Sequence, residues 1–224
     1  MAKLLLLLLW LLSQMSYAAT PIVLTDKQQS YPLKFDILED KTGELTITDV
    51  ANVDNNQRFL PVKTPLATYG YTHSAYWVKF KITNGAKKIN KWYLYLPFPN
   101  MQHIDFCTPD TENTTFNCKR TGIYYPFSSR ELPYSNFIFT VPLITGESKT
   151  FYMRFQSETA MLISLNIYSL TDLMEKISWH QLILGGIYGY LLLISFYNIF
   201  LWITFKENSY LYYIAFNLSN ALSS

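Results

Sequence analysis

The stretch AYWVKFKIT, residues 75–83, alternates without a break. Tyr76, Val78, Phe80 and Ile82 fall on one side, and Trp77, Lys79, Lys81 and Thr83 on the other. A side-chain period of two makes this a strand with one buried and one wetter face. The NGAKK that follows, from Asn84, supplies the turn.

The same reading extends outward along the chain. In WYLYLPF, Trp92, Leu94 and Leu96 oppose Tyr93 and Tyr95. In FIFTVPL, Phe137, Phe139, Val141 and Leu143 oppose Ile138 and Thr140. In FYMRF, Phe151, Met153 and Phe155 oppose Tyr152 and Arg154. MLISLNIYSL continues as one alternating run, with Leu162, Ser164, Asn166 and Tyr168 opposite Ile163, Leu165 and Ile167. Short Val-, Ile- and aromatic-rich runs between Gly, Pro, Asn and Asp punctuation point to an all-β, antiparallel sandwich between about Pro21 and Lys176. Helix–strand alternation and a Gly-rich phosphate loop are both missing from the sequence, which disfavours a parallel nucleotide-binding sheet.

If these strands share a sheet, its wetter face gathers Trp77, Tyr93, Tyr95 and Tyr152 with Lys79, Lys81 and Arg154. Rings offer flat apolar platforms for sugars or planar groups, and cations and phenols hydrogen-bond hydroxyls and carboxylates. Such aromatic–cation pairs also stabilise sheets without any ligand. The loop YYPFSSRELP adds Tyr124, Tyr125, Ser128, Ser129 and Arg130 as a polar-aromatic lining. Arg130 is suited to bidentate pairing with a carboxylate, or to an internal ion pair that holds the loop.

Half of the 224 residues are hydrophobic and 15% are charged, with a net charge of +2. Soluble domains carry about 25% charged residues. The shortfall is confined to the first twenty residues and to the part beyond Gln181. There is no basic run to track phosphates, so nucleic acid is not an expected partner. The N-terminus, MAKLLLLLLWLLSQMSYAAT, has one cation, an apolar run from Leu4 to Leu12 and the small residues Ser16 and Ala18. It reads as a secretory signal peptide spanning 1–18. Cys107 and Cys118 bracket the polar insert TPDTENTTFN and, in an oxidising compartment, read as a disulfide closing a hairpin loop. No metal or cofactor is expected, because no further Cys or His stands at ligand spacing. Asn113-Thr114-Thr115 matches a glycosylation acceptor, which matters only in a eukaryotic secretory pathway.

From Gln181 to Phe205 no residue is charged. At 1.5 Å per residue this run covers roughly 37 Å, more than the roughly 30 Å hydrocarbon layer. Trp179, Tyr188 and Tyr190 crowd one end and Trp202 the other, as interfacial aromatics do. A transmembrane helix over 177–205 is expected, running outside to inside, with Lys206 on the inner side. A cytoplasmic turn at 206–209 and the start of a second helix at 210–224 follow. Gly185 and Gly189 form a small-xxx-small pair, and Asn198 is a polar group at membrane depth. All three suit a helix packed in a bundle.

Several phrases taken together resemble one bacterial family: ILEDKTGELTITDV, YGYTHSAYWVKFKITN, KWYLYLPFPNMQHIDF, TGIYYPFSSRELPYSNFIFTVPL and KTFYMRFQS. They resemble the type-two extracellular domain of the seven-transmembrane receptors with diverse intracellular signalling modules. LILGGIYGYLLLISFYNIFLWITFKENSYLYY is similar to the start of that family's membrane region. The resemblance covers Pro32 to the last residue, in order. It implies a periplasmic jelly-roll-like sandwich that binds carbohydrates or other small ligands, in the bacterial inner membrane. It also implies seven helices and a cytoplasmic output domain. The sequence stops at Ser224, within the second helix, so a truncated receptor is one expectation.

Three functions compete. The first is the ligand-sensing front end of a receptor, with SLTDLMEKISWHQ coupling sandwich to helix. Its partners would be a small-molecule or glycan ligand, the bilayer, and other membrane helices or a separate signalling protein. The second is an envelope protein-interaction module. The third is a tethered glycosidase, which needs a carboxylate pair. Glu39 with Asp40, Asp105, Glu131 and Glu158 are available, but no spacing marks a pair. His73, His103 and His180 stand apart, and no Gly-x-Ser-x-Gly elbow is present. An enzyme is the least expected outcome.

Overall fold

The computed structural model describes residues 21–28, 30–52, 58–89, 91–110 and 115–223. The expected signal peptide lies outside these residues, as does Asn113 of the glycosylation acceptor. Two compact units divide the chain, one reaching to Asp172 and one from Leu173 onward.

The first unit holds two sheets and a ribbon. The larger sheet has seven strands: β1 (Ile22–Leu24), β3 (Asp36–Asp40), β4 (Leu60–Pro61), β6 (Ala75–Asn84), β8 (His103–Pro109), β9 (Phe116–Thr121) and β11 (Ser148–Gln156). Its main order is β4-β3-β6-β11-β8-β9, all antiparallel. The long strand β6 organises it. One edge pairs with β11, and the other is shared by β3 along 75–79 and by β1, in parallel, along 82–84. The second sheet runs β10-β7-β13-β2, from β10 (Phe137–Val141), β7 (Trp92–Leu96), β13 (Asn166–Ser169) and β2 (Ser30–Pro32). A ribbon pairs β5 (Ala67–Tyr71) with β12 (Ala160–Ile163).

The alternation in the sequence explains the core. Tyr76, Val78, Phe80 and Ile82 from β6 meet Phe151, Met153 and Phe155 from β11. Trp92, Leu94, Leu96, Phe137, Phe139 and Val141 come from the other sheet into the same cluster. The Phe106 and Phe139 ring centroids, one from each sheet, stand 5.1 Å apart. Burying each such side chain stabilises by about 1.5–3 kcal/mol. The expected antiparallel sandwich is therefore present.

Two expectations about strands need correction. MLISLNIYSL is not one strand. It breaks at Ser164–Leu165 into β12, in the ribbon, and β13, in the four-stranded sheet. Leu165 accepts the Leu33 backbone N–H (2.8 Å) at the break, so the chain changes sheets without losing either alternating face. More consequentially, the wet-face residues do not share a sheet. Trp77, Lys79, Lys81, Tyr152 and Arg154 lie on the larger sheet, whereas Tyr93 and Tyr95 lie on the other.

Helix α2 (Leu170–Phe205), all but its first three residues in the second unit, is followed there by α3 (Ser209–Ser223), while the short helix α1 (Ile47–Ala51) belongs to the first unit. Helix α2 starts earlier than the expected 177. Ser169 Oγ accepts the Asp172 N–H (3.3 Å), so the Ser-x-x-Asp pattern at 169–172 caps a helix directly behind β13. Helix α2 is long and apolar enough to cross a membrane, and none of its most apolar window is buried within the protein. It ends at Lys206, which takes a left-handed φ of 58° and returns its N–H to the Trp202 carbonyl (2.8 Å).

Candidate functional site

The outward face of the larger sheet reads as rows fixed by strand register. Leu38, Trp77, Arg154, Asp105 and Arg120 are successive partners in one row. Asp36, Lys79, Tyr152, Cys107 and Cys118 form the next. Lys81 and Thr150 begin a third, with Thr83 opposite Ser148 beyond. Cys107 and Cys118 are joined as a disulfide, with Cα atoms 4.0 Å apart.

This face is not an open platform. Helix α1 and the segment before it lie over it. A Thr46/Asp49 capping box starts the helix: Thr46 Oγ1 accepts the Asp49 N–H, and Asp49 Oδ2 accepts the Thr46 N–H (2.8 Å). Val50, Phe59, Leu38, Trp77, Cys107 and Tyr152 form a second small core there, with Leu45, Ile47, Ala51 and Phe116 packed against it. Trp77 is 2% exposed and Tyr152 4%. Their expected wet character fails because α1 supplies the apolar cover that the strand pattern alone could not announce.

The cations of the face are largely engaged. Lys79 lies 3.8 Å from Asp36 and over the Phe59 ring, at 4.8 Å. Arg154 Nη2 donates to the Gly43 carbonyl and to Gln156 Oε1, both at 2.8 Å, and its Nη1 lies 3.9 Å from Asp105. Arg120 Nε donates to Asp105 Oδ1 (2.7 Å), and that carboxylate holds the guanidinium proton more tightly than usual. The Lys81 ammonium has no ion pair or hydrogen bond among the described residues.

Two hollows flank α1. One, of about 400 Å³, is walled by Leu45, Trp77, the disulfide, Asp105, Arg120 and Arg154. The other, of about 710 Å³, has three walls: Ile47, Thr48, Ala51 and Asn52 from α1 and its end; Lys81, Ser148, Thr150 and Tyr152 from the sheet; and Pro109, Thr115 and Phe116 from the β8–β9 hairpin. Its volume falls in the usual range of small-molecule sites, about 300–1,000 Å³. Sequence reading placed Tyr152 and Lys81 on the correct face. It missed Thr150, Phe116 and the whole α1 wall, whose capping signal, Thr-x-x-Asp at 46–49, was legible.

The remaining expected site residues are elsewhere. Tyr95 is buried and accepts from Asn136 Nδ2 (2.6 Å), and burial raises its pKa. Tyr93 is buried in the same sheet. Tyr124 is 59% exposed, and its hydroxyl accepts from Gln102 Nε2 (3.0 Å). Arg130 holds its own loop, but through carbonyls and rings rather than an ion pair. Its Nη1 donates to the Tyr134 and Ser135 carbonyls, and its guanidinium lies 4.4 Å from the Phe137 centroid and 4.9 Å from that of Phe127.

Three of the acids considered for glycoside chemistry have partners within the fold. Glu39 accepts from Ser74 Oγ, Asp40 accepts from Thr42 Oγ1 and two backbone N–H groups, and Glu131 pairs with Lys119.

Residues 33–169, more than half of the chain, match the family described as 7TMR-DISM extracellular 2. The chain belongs to that family. Residues 180–224 match the family described as 7TM diverse intracellular signalling. No curated protein matches the chain. As a 7TMR-DISM extracellular 2 protein with an apolar helix behind its sandwich, it is a membrane protein whose N-terminal domain lies outside the cytoplasm, the sensor part of a receptor. The groove beside α1 lies in the matched extracellular region.

Proposed function

We propose that this chain is the ligand-sensing part of a bacterial inner-membrane receptor. Its periplasmic sandwich binds a carbohydrate or a similar small hydroxylated molecule in the groove between α1 and the larger sheet. The groove itself carries this reading. It joins apolar walls (Ile47, Pro109, Phe116) to hydroxyls (Thr48, Thr115, Ser148, Thr150), which suits the mixed faces of a sugar ring. Bound ligand would favour one arrangement of α1 and the β8–β9 hairpin over another, as a switching sensor requires.

The test uses the full chain in lipid nanodiscs and a panel of neutral and acidic sugars, read as shifts in melting temperature. Thr48 is exposed on the groove wall, so Thr48→Trp fills the groove without touching the core. A ligand that stabilises the parent but not Thr48→Trp supports the reading. A panel that shifts neither protein overturns it, as does a shift that survives the filled groove.

A second reading, an envelope protein-interaction module, is favoured by one observation. Ile123, Tyr124 and Phe127 are all exposed close together in one loop, at 44%, 59% and 57%.

A further inference from the structure

With the groove beside α1 as the binding site, we infer that its ligand is an anionic saccharide, a sugar carrying a carboxylate or sulfate, and that Lys81 receives the charge.

The groove's polar lining divides into engaged and open groups. Ser148 Oγ is bonded to Thr83 Oγ1 (2.9 Å), Thr48 Oγ1 to Thr46 Oγ1 (2.8 Å), and Thr115 Oγ1 donates to Asp110 Oδ2 (2.6 Å). The side chains of Lys81 and Thr150 have no hydrogen-bond or ionic partner among the described residues. They are direct cross-strand partners on the outer face, so their side chains rise side by side. An ammonium beside a hydroxyl donor forms a two-point receptor for one anionic group.

The contrast with neighbouring cations sharpens this. Lys79 faces Asp36, and Arg154 and Arg120 share Asp105. Lys119 pairs with Glu131 and Lys149 with Glu147. Among the described residues the groove lining contains no Asp or Glu, and Asp110, in the β8–β9 connection, already accepts from Thr115. Among the described residues the groove therefore presents one positive charge without a countercharge. Phe116 and Pro109 provide the apolar wall that a sugar ring packs on while its acid group meets Lys81.

Calorimetric titration of the full chain in nanodiscs tests this with three probes: D-galacturonate, D-galactose 6-sulfate and D-galactose. Expected is binding of at least one acidic probe and about tenfold weaker or no binding of the neutral sugar. Lys81→Met, which keeps the apolar stem, should weaken the acidic probe about tenfold or more, Lys81→Arg should restore most of it, and added salt should weaken it. Which acidic probe binds separates carboxylate from sulfate. Equal binding of galactose, or acidic binding that survives Lys81→Met, overturns the anionic assignment and leaves the groove as the site. Absence of binding by all three overturns both.

Discussion

The Arg154 guanidinium donates to the Gly43 carbonyl at 2.8 Å, across 111 residues of sequence. It also meets Asp105 and Gln156, so one side chain fastens the segment that leads into α1 onto strands β11 and β8. Gly43 takes a φ of +71°, which positions that carbonyl and disfavours a side chain. Arg154→Ala should lower stability by about 2 kcal/mol, because a largely buried charged donor is lost and a carbonyl is left without its partner. Arg154→Lys should restore little, since an ammonium cannot span the three acceptors as a planar fork does. Denaturant midpoints of the three proteins measure this; an alanine variant as stable as the parent would show that α1 holds its place without this tie.

Gly122 makes a second local demand. Its φ is +143°, and a Cβ there would stand 2.0 Å from the Gln102 carbonyl oxygen. Backbone, unlike a flexible side chain, cannot step aside. Gly122→Ala should cost at least about 2 kcal/mol and displace the Tyr124–Tyr125 turn that follows. A melting temperature within a degree or so of the parent would contradict the close approach.

Much of this fold was legible in the sequence, and for a physical reason. Where a strand buries one face, its pattern must alternate, so Val78, Phe80, Phe151 and Met153 declared their inward side. The Cys107–Cys118 pairing was also readable, because two cysteines closing one polar hairpin loop in an exported chain leave little choice. What failed was the far side of the sheet. Whether Trp77 and Tyr152 meet water depends on α1, brought across by tertiary contacts that strand periodicity does not encode. The division of tyrosines between sheets was hidden for the same reason. The Tyr93 and Tyr152 strands alternate equally well, and only pairing decides which neighbours they acquire. Lys81 was visible on the correct face, but its lack of a side-chain partner among the described residues emerges only when Lys79, Arg120 and Arg154 are seen to have theirs.

The disulfide links Cys107, fully buried, to the exposed Cys118, eleven residues on. Chain-entropy reasoning for so small a loop gives about 2–3 kcal/mol. The paired substitution Cys107→Ala with Cys118→Ala should lower stability by that amount, and the β8–β9 hairpin should exchange amide hydrogens faster than the rest of the sheet. Uniform acceleration across both sheets would show instead that the bond supports the whole sandwich.

Acid should weaken the link between β1 and the turn after β6. The Asp26 carboxylate accepts the N–H groups of Lys87 and Lys88 at 2.9 Å and of Ile89 at 3.2 Å. The Lys87 and Lys88 backbone bonds hold its pKa below the ordinary 3.8. The folded carboxyl binds its proton less readily than the unfolded one, so its stabilising contribution is complete above the ordinary value. That contribution is lost as pH falls through the lower, folded value. Melting temperature should therefore drop less on acidification below about pH 4 in Asp26→Asn than in the parent, while Asp26→Asn should be the less stable at neutral pH. Parallel acid limbs for the two proteins would contradict this role.

Asn198 concerns the membrane helix. Its Nδ2 donates to the Ile194 carbonyl at 2.8 Å, as Ser195 Oγ does to the Leu191 carbonyl and Thr204 Oγ1 to the Phe200 carbonyl. The helix thus meets part of its own polar cost within the apolar layer, and a neighbouring helix is not required for that bond. The amide oxygen still has to be placed in hydrocarbon, which is unfavourable. Asn198→Leu should therefore integrate into membranes at least as efficiently as the parent, measured as the fraction resisting alkaline extraction. If the leucine variant is instead extracted, or degraded while the parent persists, the amide is making a bond to another helix that outweighs its cost in lipid, and Gly185 and Gly189 become the positions at which to seek that helix.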